Sequence, residues 1–220
     1  VSEGLSNGRQ FNINKQLKTT TRNSVKLALV GPGRWGKKYI ETIKQLDNID
    51  LAYIASRNPP PRLYEDAPRV FTNWKKLLNQ EIDGLIIATP PHTHAKILEE
   101  TIRTGIPAIV EKPLALNLEE ATKLSDLSVI TGVPVLMGHT QLFQPAVEKI
   151  QKIVDSTQGP DYILSEGMGM GPKRENIDIL WDWSPHDLSL ILSLMDSIPK
   201  SVYALEHKNY VSTFLQFQNS

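Results

Sequence analysis

Apolar residues recur from Val25 onward with spacings that alternate between those of strands and helices. Five short apolar runs predict buried strands: Val25–Val30, Leu51–Ala55, Gly84–Ala88, Ala108–Val110 and Val133–Met137. Spacings of three and four predict the intervening helices: one with Trp35, Tyr39, Ile43 and Leu46 on its inner face, then Trp74–Asn79, His94–Arg103 and one capped by Asn117. This alternation predicts a doubly wound parallel sheet with helices on both faces, over residues 25–140.

The pattern changes after Gly138. The predicted elements are a helix Pro145–Asp155 with Val147, Ile150, Ile153 and Val154 inward, a strand Tyr162–Met170, a helix Ser184–Met195 capped by Ser184, and strands Val202–Glu206 and Tyr210–Phe217. Alternation along the last strand predicts one buried face, yet few strands remain to cover it. Residues 141–220 are therefore expected to form a truncated substrate or oligomerisation domain.

The composition of the chain argues against several classes of binding partner and chemical site. The formal net charge is zero, from 24 basic and 24 acidic residues, so no excess of charge favours nucleic acid or an anionic surface. There is no cysteine, which excludes disulfides, thiolate metal sites and a cysteine nucleophile. No apolar run approaches the roughly 18 residues that span a bilayer. Residues 1–24 are polar and are expected to form a flexible arm, or a docking arm, rather than a secretory signal; a cytoplasmic location is expected.

The turn between the first predicted strand and helix reads Gly31-Pro32-Gly33-Arg34-Trp35-Gly36. Three glycines at this spacing, in this context, predict a dinucleotide site. Gly31 permits the tight turn, Gly33 lets a pyrophosphate approach the backbone, and Gly36 lets the helix pack against the strand. The N–H groups at the start of the helix favour phosphate. Arg34 and Trp35, in the same turn, are included among the candidate cofactor contacts.

Ser56 and Arg57, at the end of the second predicted strand, indicate which of NAD(H) and NADP(H) the chain prefers. An enzyme that uses NAD usually has an acidic residue here for the ribose 2′-hydroxyl, and none lies between Leu51 and Asn58. A hydroxyl and a guanidinium suit a 2′-phosphate. NADP(H) is therefore the preferred cofactor, with NAD(H) as the alternative.

Two further motifs follow the third and fourth predicted strands. Thr89, Pro90 and His94 belong to the first motif, and Glu111-Lys112-Pro113 is the second. Both are expected at the carboxyl edge of the sheet, where ligands bind. Contacts to the cofactor are expected from Thr89, Pro90, His94, Glu111 and Lys112. Lys112 could also donate a proton or a hydrogen bond to a substrate oxygen.

Asp182 and His186 lie four residues apart near the start of a predicted helix. The helix N-terminus disfavours imidazolium, whereas Asp182 favours it and could orient the ring. Taken alone, His186 could equally be a structural residue. Metal ligation is not expected, because no other close cluster of ligands joins it.

These motifs resemble those of the glucose–fructose oxidoreductase / inositol dehydrogenase family (Gfo/Idh/MocA). The matching segments are Gly31–Gly36, Ala88–His94, Glu111–Leu114 and Asp182-x-x-x-His186-Asp187, in family order. The resemblance implies a Rossmann domain followed by an α+β domain with an open, mainly antiparallel sheet. It also implies NAD(P)-dependent oxidation or reduction of a sugar, inositol or related polyol.

By the same resemblance, Lys112 and His186 form the catalytic acid–base pair, Asp182 assists substrate binding, and Lys112-Pro113 is a cis peptide. The chain departs from the family pattern at Asp178–Trp181, where a glycine pair is common, and at Ser189, where an aspartate is common. Two alternatives stay open: a non-catalytic NAD(P)-binding regulator and a redox-assisted glycosidase. The resemblance also implies a homo-oligomer formed through the C-terminal sheet.

Overall fold

The structure is a computed structural model, and it describes residues 24–59, 69–157, 159–167, 178–207 and 210–218. The predictions for residues 1–23 lie outside these ranges. The strands are β1 (Val25–Val30), β2 (Ile49–Ala55), β3 (Arg69–Phe71), β4 (Gly84–Ile87), β5 (Ala108–Val110), β6 (Val135–Met137), β7 (Ser201–His207) and β8 (Tyr210–Gln216). The helices are α1 (Arg34–Ile43), α2 (His94–Arg103), α3 (Leu118–Thr131), α4 (Pro145–Asp155), α5 (Ile179–Asp182) and α6 (Ser184–Met195). Three-residue-per-turn helices occur at Trp74–Asn79, Pro91–Thr93 and Thr140–Phe143.

Six strands form one parallel sheet in the order β3-β2-β1-β4-β5-β6. This is the strand order of a Rossmann fold, so the predicted fold class is confirmed. The order of strands reverses at β1, which has β2 on one side and β4 on the other. A crevice at the carboxyl ends of the strands opens at such a reversal, and the glycine turn follows β1 there.

The central strands are apolar throughout because helices cover both faces of the sheet. Alternate residues of one strand enter opposite cores: Ala28 and Val30 pack beneath α2 and α3, whereas Leu29 packs on the side of α1. Leu85 and Ile87 of β4 pack in the same core as Ala28, and Ile86 packs in the same core as Leu29. The two-residue period of the strands therefore decides which side chains enter each core. Because the strands are parallel, their carboxyl ends lie at one edge of the sheet.

Two details of the sheet differ from the sequence expectation. The strand β3 was not predicted, because Arg69–Phe71 is only three residues long and has no periodic pattern. The inner face predicted for α1 is wrong at both ends, since Trp35 and Leu46 are 41% and 42% exposed. The helix ends at Ile43, so Leu46 lies beyond it.

The C-terminal part contains helices and one antiparallel hairpin, β7–β8. The helix α4 has the predicted bounds, but Ile150 and Ile153 are exposed rather than inward. Both strands of the hairpin leave large apolar side chains exposed, including Tyr203 and Phe214. The antiparallel sheet expected in this part is confirmed as the two-stranded sheet β7–β8.

Two local expectations in this part are corrected. The predicted strand Tyr162–Met170 does not form over residues 162–167, where Tyr162 is exposed, and its remainder lies outside the described residues. Ser184 is the first residue of α6 rather than its cap, and its hydroxyl donates to the Leu180 carbonyl. The short helix α5 just precedes α6, so a helical carbonyl lies within reach of this hydroxyl.

The contribution of the Asn117 cap to the stability of α3 can be tested directly. The Asn117 side chain accepts a hydrogen bond from the Glu120 N–H at 2.8 Å. Asn117→Ala removes this acceptor and should lower the free energy of unfolding by about 1 kcal/mol in urea denaturation. Asn117→Asp keeps an acceptor and should lose much less. Equal losses in both variants would show that the cap does not stabilise α3.

Candidate active site

The ends of four neighbouring strands bring the sequence motifs together. Gly31 follows β1, Thr89 lies two residues after β4, Glu111 follows β5, and Gly138 follows β6. Adjacent parallel strands end at the same edge of the sheet. The glycine turn, the proline-histidine motif and the Glu-Lys-Pro motif therefore share one crevice.

The glycine turn fits a dinucleotide because of its backbone. Gly31 has a φ of +89°, and a Cβ atom there would lie 2.7 Å from the Ala88 carbonyl oxygen. A Cβ atom on Gly36 would overlap the Gly31 carbonyl oxygen, so these two glycines are needed for packing. Gly33 has nothing within 4 Å of such an atom, and it begins α1 without any side-chain cap. The space above Gly33 and the uncapped N–H groups form a cradle for a pyrophosphate.

The other candidates in and near the turn are accessible. Arg34 and Trp35 are exposed in the first turn of α1. Ser56 is half-buried, and its N–H donates to the Phe71 carbonyl at 2.9 Å, so β3 holds the end of β2 in place. Arg57 follows it and is exposed. This pair lies next to the glycine turn, since the Gly31 N–H donates to the carbonyl of Ala55, the residue before Ser56.

His94 occupies a different position from the one expected of a cofactor contact. It is fully buried, with Nδ1 2.8 Å from the Pro113 carbonyl oxygen and Nε2 2.7 Å from the Thr89 carbonyl oxygen. Both ring nitrogens are thus used on the backbone. His94 links the loop after β4 to the loop after β5, whereas Thr89 and Pro90 remain partly or fully exposed beside it.

Glu111 is buried and joins three parts of the crevice. It follows β5, accepts a hydrogen bond from the Tyr39 hydroxyl of α1 at 2.9 Å, and packs against Gly138, where a Cβ atom would lie 3.1 Å from Oε1. Burial, and then the Glu111 carboxylate, raise the pKa of Tyr39, so its hydroxyl stays protonated and donates. Glu111 therefore fixes the helix of the glycine turn relative to Lys112.

Lys112 extends from the sheet to the C-terminal segment. Its Nζ lies 3.1 Å from Asp182 Oδ1 and also donates to the Asp182 backbone carbonyl. The side chains are 8% and 17% exposed, so this is a largely buried ion pair. The Lys112-Pro113 peptide is cis, as the resemblance implied. The structure brings Lys112, Asp182 and the first turn of α6 to one place.

His186 lies in that first turn, and its hydrogen-bond partner was not expected. Nδ1 lies 2.8 Å from Gln141 Nε2 and 3.1 Å from Gln141 Oε1. Asp182 was expected to orient this ring, but its Oδ1 pairs with Lys112. Gln141 lies in the helical turn after β6, 45 residues from His186, so no local spacing in the sequence could have indicated the contact.

His139, just before that turn, is a second residue that the sequence motifs did not include. Its Nδ1 is buried and has no hydrogen-bond partner among the described residues. Burial, and then the Lys112 ammonium, lower the pKa of His139. A signal was available: like the other site motifs, it lies just after a strand of the parallel sheet, two residues beyond β6.

The same causes keep His186 uncharged. Burial lowers the pKa of His186 first, followed by the Lys112 ammonium and His139, while Asp187 and Asp182 oppose them. The result lies below the ordinary value of 6.5. At neutral pH the crevice therefore holds a buried cation, Lys112, beside a neutral imidazole that can accept a proton.

A family model agrees with this geometry. The model of the Gfo/Idh/MocA oxidoreductases, described as an oxidoreductase family with an NAD-binding Rossmann fold, matches residues 25–139, more than half of the chain. The chain belongs to the Gfo/Idh/MocA family. The matched region runs from the first residue of β1 to His139, so it includes the glycine turn and Lys112.

Individual proteins and solved structures are similar to the chain. UDP-N-acetylglucosamine 3-dehydrogenase from Acidithiobacillus ferrooxidans is 30% identical over 138 residues, which are 62% of this chain and 43% of that protein. A protein assigned as an oxidoreductase from Magnetospirillum magnetotacticum MS-1 has a crystal structure with 39% identity and a TM-score of 0.74, covering 88% of this chain and 67% of that one. GenD2 from gentamicin A biosynthesis, solved with NAD, shares the fold at 20% identity and a TM-score of 0.74, covering 90% and 64% of the two chains. The chain spans about half the length of the curated relatives it matches.

Two other observations bear on the class of protein. Within the described ranges, no cluster of three or more histidine or acidic side chains could hold a metal ion. None of the helices in those ranges has the length and apolar character needed to cross a membrane.

The glycine turn yields a paired prediction. Gly33→Ala should leave the unfolding midpoint nearly unchanged, because its methyl group meets no protein atom, yet weaken dinucleotide binding about 10-fold or more by occupying the pyrophosphate cradle. Gly36→Ala, the matched variant, should cost about 2 kcal/mol or more of stability through its clash with Gly31. Thermal melts and calorimetric titration measure both. Unchanged binding by a folded Gly33→Ala protein would place the pyrophosphate elsewhere.

Proposed function

We propose that the chain is an NAD(P)-dependent dehydrogenase or reductase that acts on a hydroxyl or carbonyl carbon of a sugar, inositol or related polyol. The observation that supports this proposal is that Lys112, which follows β5 at the sheet edge where the glycine turn follows β1, pairs with Asp182 just before the helix of His186, whose pKa is lowered by burial. Relatives with such activities, including the UDP-N-acetylglucosamine 3-dehydrogenase, support the substrate class. The bound nicotinamide supplies the hydride acceptor or donor, and the residues of the chain handle the proton.

The two catalytic residues have separate roles in this proposal. Two of the three N–H bonds of Lys112 are used on Asp182, and within the described residues the third remains for a substrate oxygen. The ammonium thereby stabilises negative charge on that oxygen as the O–H bond breaks. His186, which is neutral, accepts the proton, and in the reverse direction it returns the proton. Asp182 holds Lys112 in position and assists substrate binding.

The role of Lys112 can be tested by removing its charge. Lys112→Met should lower kcat/KM on an identified polyol by about 100-fold or more, because the substrate oxygen loses its donor. A thermal melt shows whether the variant stays folded, since the change also removes the partner of the Asp182 carboxylate. Lys96→Met, an exposed lysine on α2, is the matched control and should keep wild-type kinetics. Wild-type turnover by Lys112→Met would rule out this assignment.

We also propose a preference for NADP(H). The exposed Arg57 guanidinium and the Ser56 hydroxyl lie at the end of β2, where a ribose 2′-phosphate would bind, and no carboxylate lies between Leu51 and Asn58 to repel it. The remaining cofactor contacts proposed are Gly31, Gly33, Arg34, Trp35, Gly36, Thr89, Pro90, Glu111 and Lys112, with His94 acting through the loops it joins.

Cofactor selectivity is tested by Arg57→Ala. Loss of a charge-assisted hydrogen bond should weaken NADP(H) binding about 10-fold, or about 1.4 kcal/mol. NAD(H) has no 2′-phosphate and serves as the internal control, so its dissociation constant should be almost unchanged. Calorimetric titration of both nucleotides gives the comparison. Equal weakening of the two, or tighter binding of NAD(H) by the unaltered chain, would contradict the preference.

We also propose that copies of the chain assemble into a homo-oligomer. The hairpin β7–β8 exposes Tyr203, Tyr210 and Phe214, which form an apolar surface on an open sheet. Exposed apolar surfaces of this kind commonly pack against a partner. A homo-oligomer formed through this sheet is therefore part of the proposed function, with a sugar or polyol as the small-molecule partner.

A further inference from the structure

Gln141 is part of the site, yet it belongs to none of the sequence motifs. Its carboxamide lies against His186 Nδ1, with Nε2 at 2.8 Å and Oε1 at 3.1 Å. The same Nε2 lies 3.4 Å from the Ser189 hydroxyl, which in turn donates to the His186 carbonyl at 2.8 Å. With the ring proton on Nδ1, this nitrogen donates to Gln141 Oε1 and Gln141 Nε2 donates to the Ser189 hydroxyl, so the three residues form a closed ring of hydrogen bonds between the turn after β6 and the start of α6.

The hydrogen-bonding groups in this ring are uncharged. A carboxylate next to an imidazole Nδ1 would stabilise imidazolium, whereas a carboxamide gives the charged form much less support. The charged or titratable groups that face His186 divide into two sets: Lys112 and His139 oppose its protonation, and Asp187 and Asp182 favour it. Burial adds to the first set and is the largest influence. Because Gln141 is uncharged, it adds no support for imidazolium, and the pKa of His186 stays lowered.

We propose that Gln141 is a positioning residue that holds the His186 ring through Nδ1 and keeps it neutral, so that Nε2 is the nitrogen that exchanges a proton with substrate. This inference rests on the proposed function and deepens it. Nε2 has no hydrogen-bond partner among the described residues. As Nε2 takes the hydroxyl proton, the O–H bond breaks and an N–H bond forms, and the imidazolium keeps Nδ1–H bonded to Gln141 Oε1.

The direct test adds a carboxylate at this position. In the full chain with labelled histidines, the His186 resonance is identified by its loss in His186→Gln and titrated with pH. We expect a pKa below 6.5 in the unaltered chain and a rise of about one unit or more in Gln141→Glu. Gln144→Glu, an exposed residue three positions on with no side-chain capping bond, is the matched control and should leave the His186 pKa nearly unchanged. Equal shifts in the two variants, or no shift in Gln141→Glu, would overturn the inference.

A second variant covers a failure of Gln141→Glu to fold. Gln141→Leu keeps the size of the side chain but removes both polar atoms from Nδ1. The His186 Nδ1 resonance should move, and kcat should fall about 10-fold or more while KM for the dinucleotide stays constant, since only the orientation of the base is lost. An unchanged Nδ1 resonance would overturn the inference whether or not a substrate is known.

The two proposals fail in different ways. If the unaltered chain oxidises a polyol and the acid limb of its kcat/KM profile does not move in Gln141→Glu, the inference is wrong and the dehydrogenase proposal stands. If the His186 pKa moves as expected but no sugar or polyol is turned over, the hold of Gln141 on His186 is supported and the proposed activity is wrong.

Discussion

The ion pair between Lys112 and Asp182 joins the nucleotide-binding sheet to the C-terminal segment, and the site depends on it. Lys112 lies two residues after β5, whereas Asp182 ends α5, just before the helix of His186. Both side chains are largely buried, so removing either partner would leave a desolvated charge at a cost of about 3–5 kcal/mol. The pair therefore does more than hold a lysine: it sets the position of α6 relative to the crevice.

The electrostatics of the crevice follow from that pair. A fixed ammonium lowers the pKa of both nearby imidazoles, His139 and His186, in addition to the effect of burial. One cation and a neutral base can then coexist within a small space, with Asp182 balancing the cation. On the opposite side, Glu111 and the Tyr39 hydroxyl link the loop of Lys112 to the helix of the glycine turn. The proposed cradle for the dinucleotide and the proposed proton-handling groups are in this way linked through the neighbouring residues Glu111 and Lys112.

The sequence predicted what depends on local pattern. The apolar runs and the glycine spacing indicated the Rossmann sheet, since buried parallel strands and the turn after β1 have strict local requirements. Contacts between distant segments have no such signal: Gln141 contacts His186 across 45 residues, whereas the local spacing had indicated Asp182 as the residue that orients the ring. His94 was placed among the cofactor contacts because a motif shows spacing but not burial. Ile150 and Ile153 have helical spacing, yet periodicity cannot show whether another element covers them.

We infer that the glycine turn and the Lys112–His186 pair serve one bound cofactor. The most direct measurement is a crystal structure of the chain with oxidised NADP bound. We expect the pyrophosphate against Gly33 at the start of α1, the 2′-phosphate beside Arg57, and the nicotinamide ring next to Lys112 and His186. A nucleotide bound away from the glycine turn, or a nicotinamide ring remote from both catalytic residues, would contradict it.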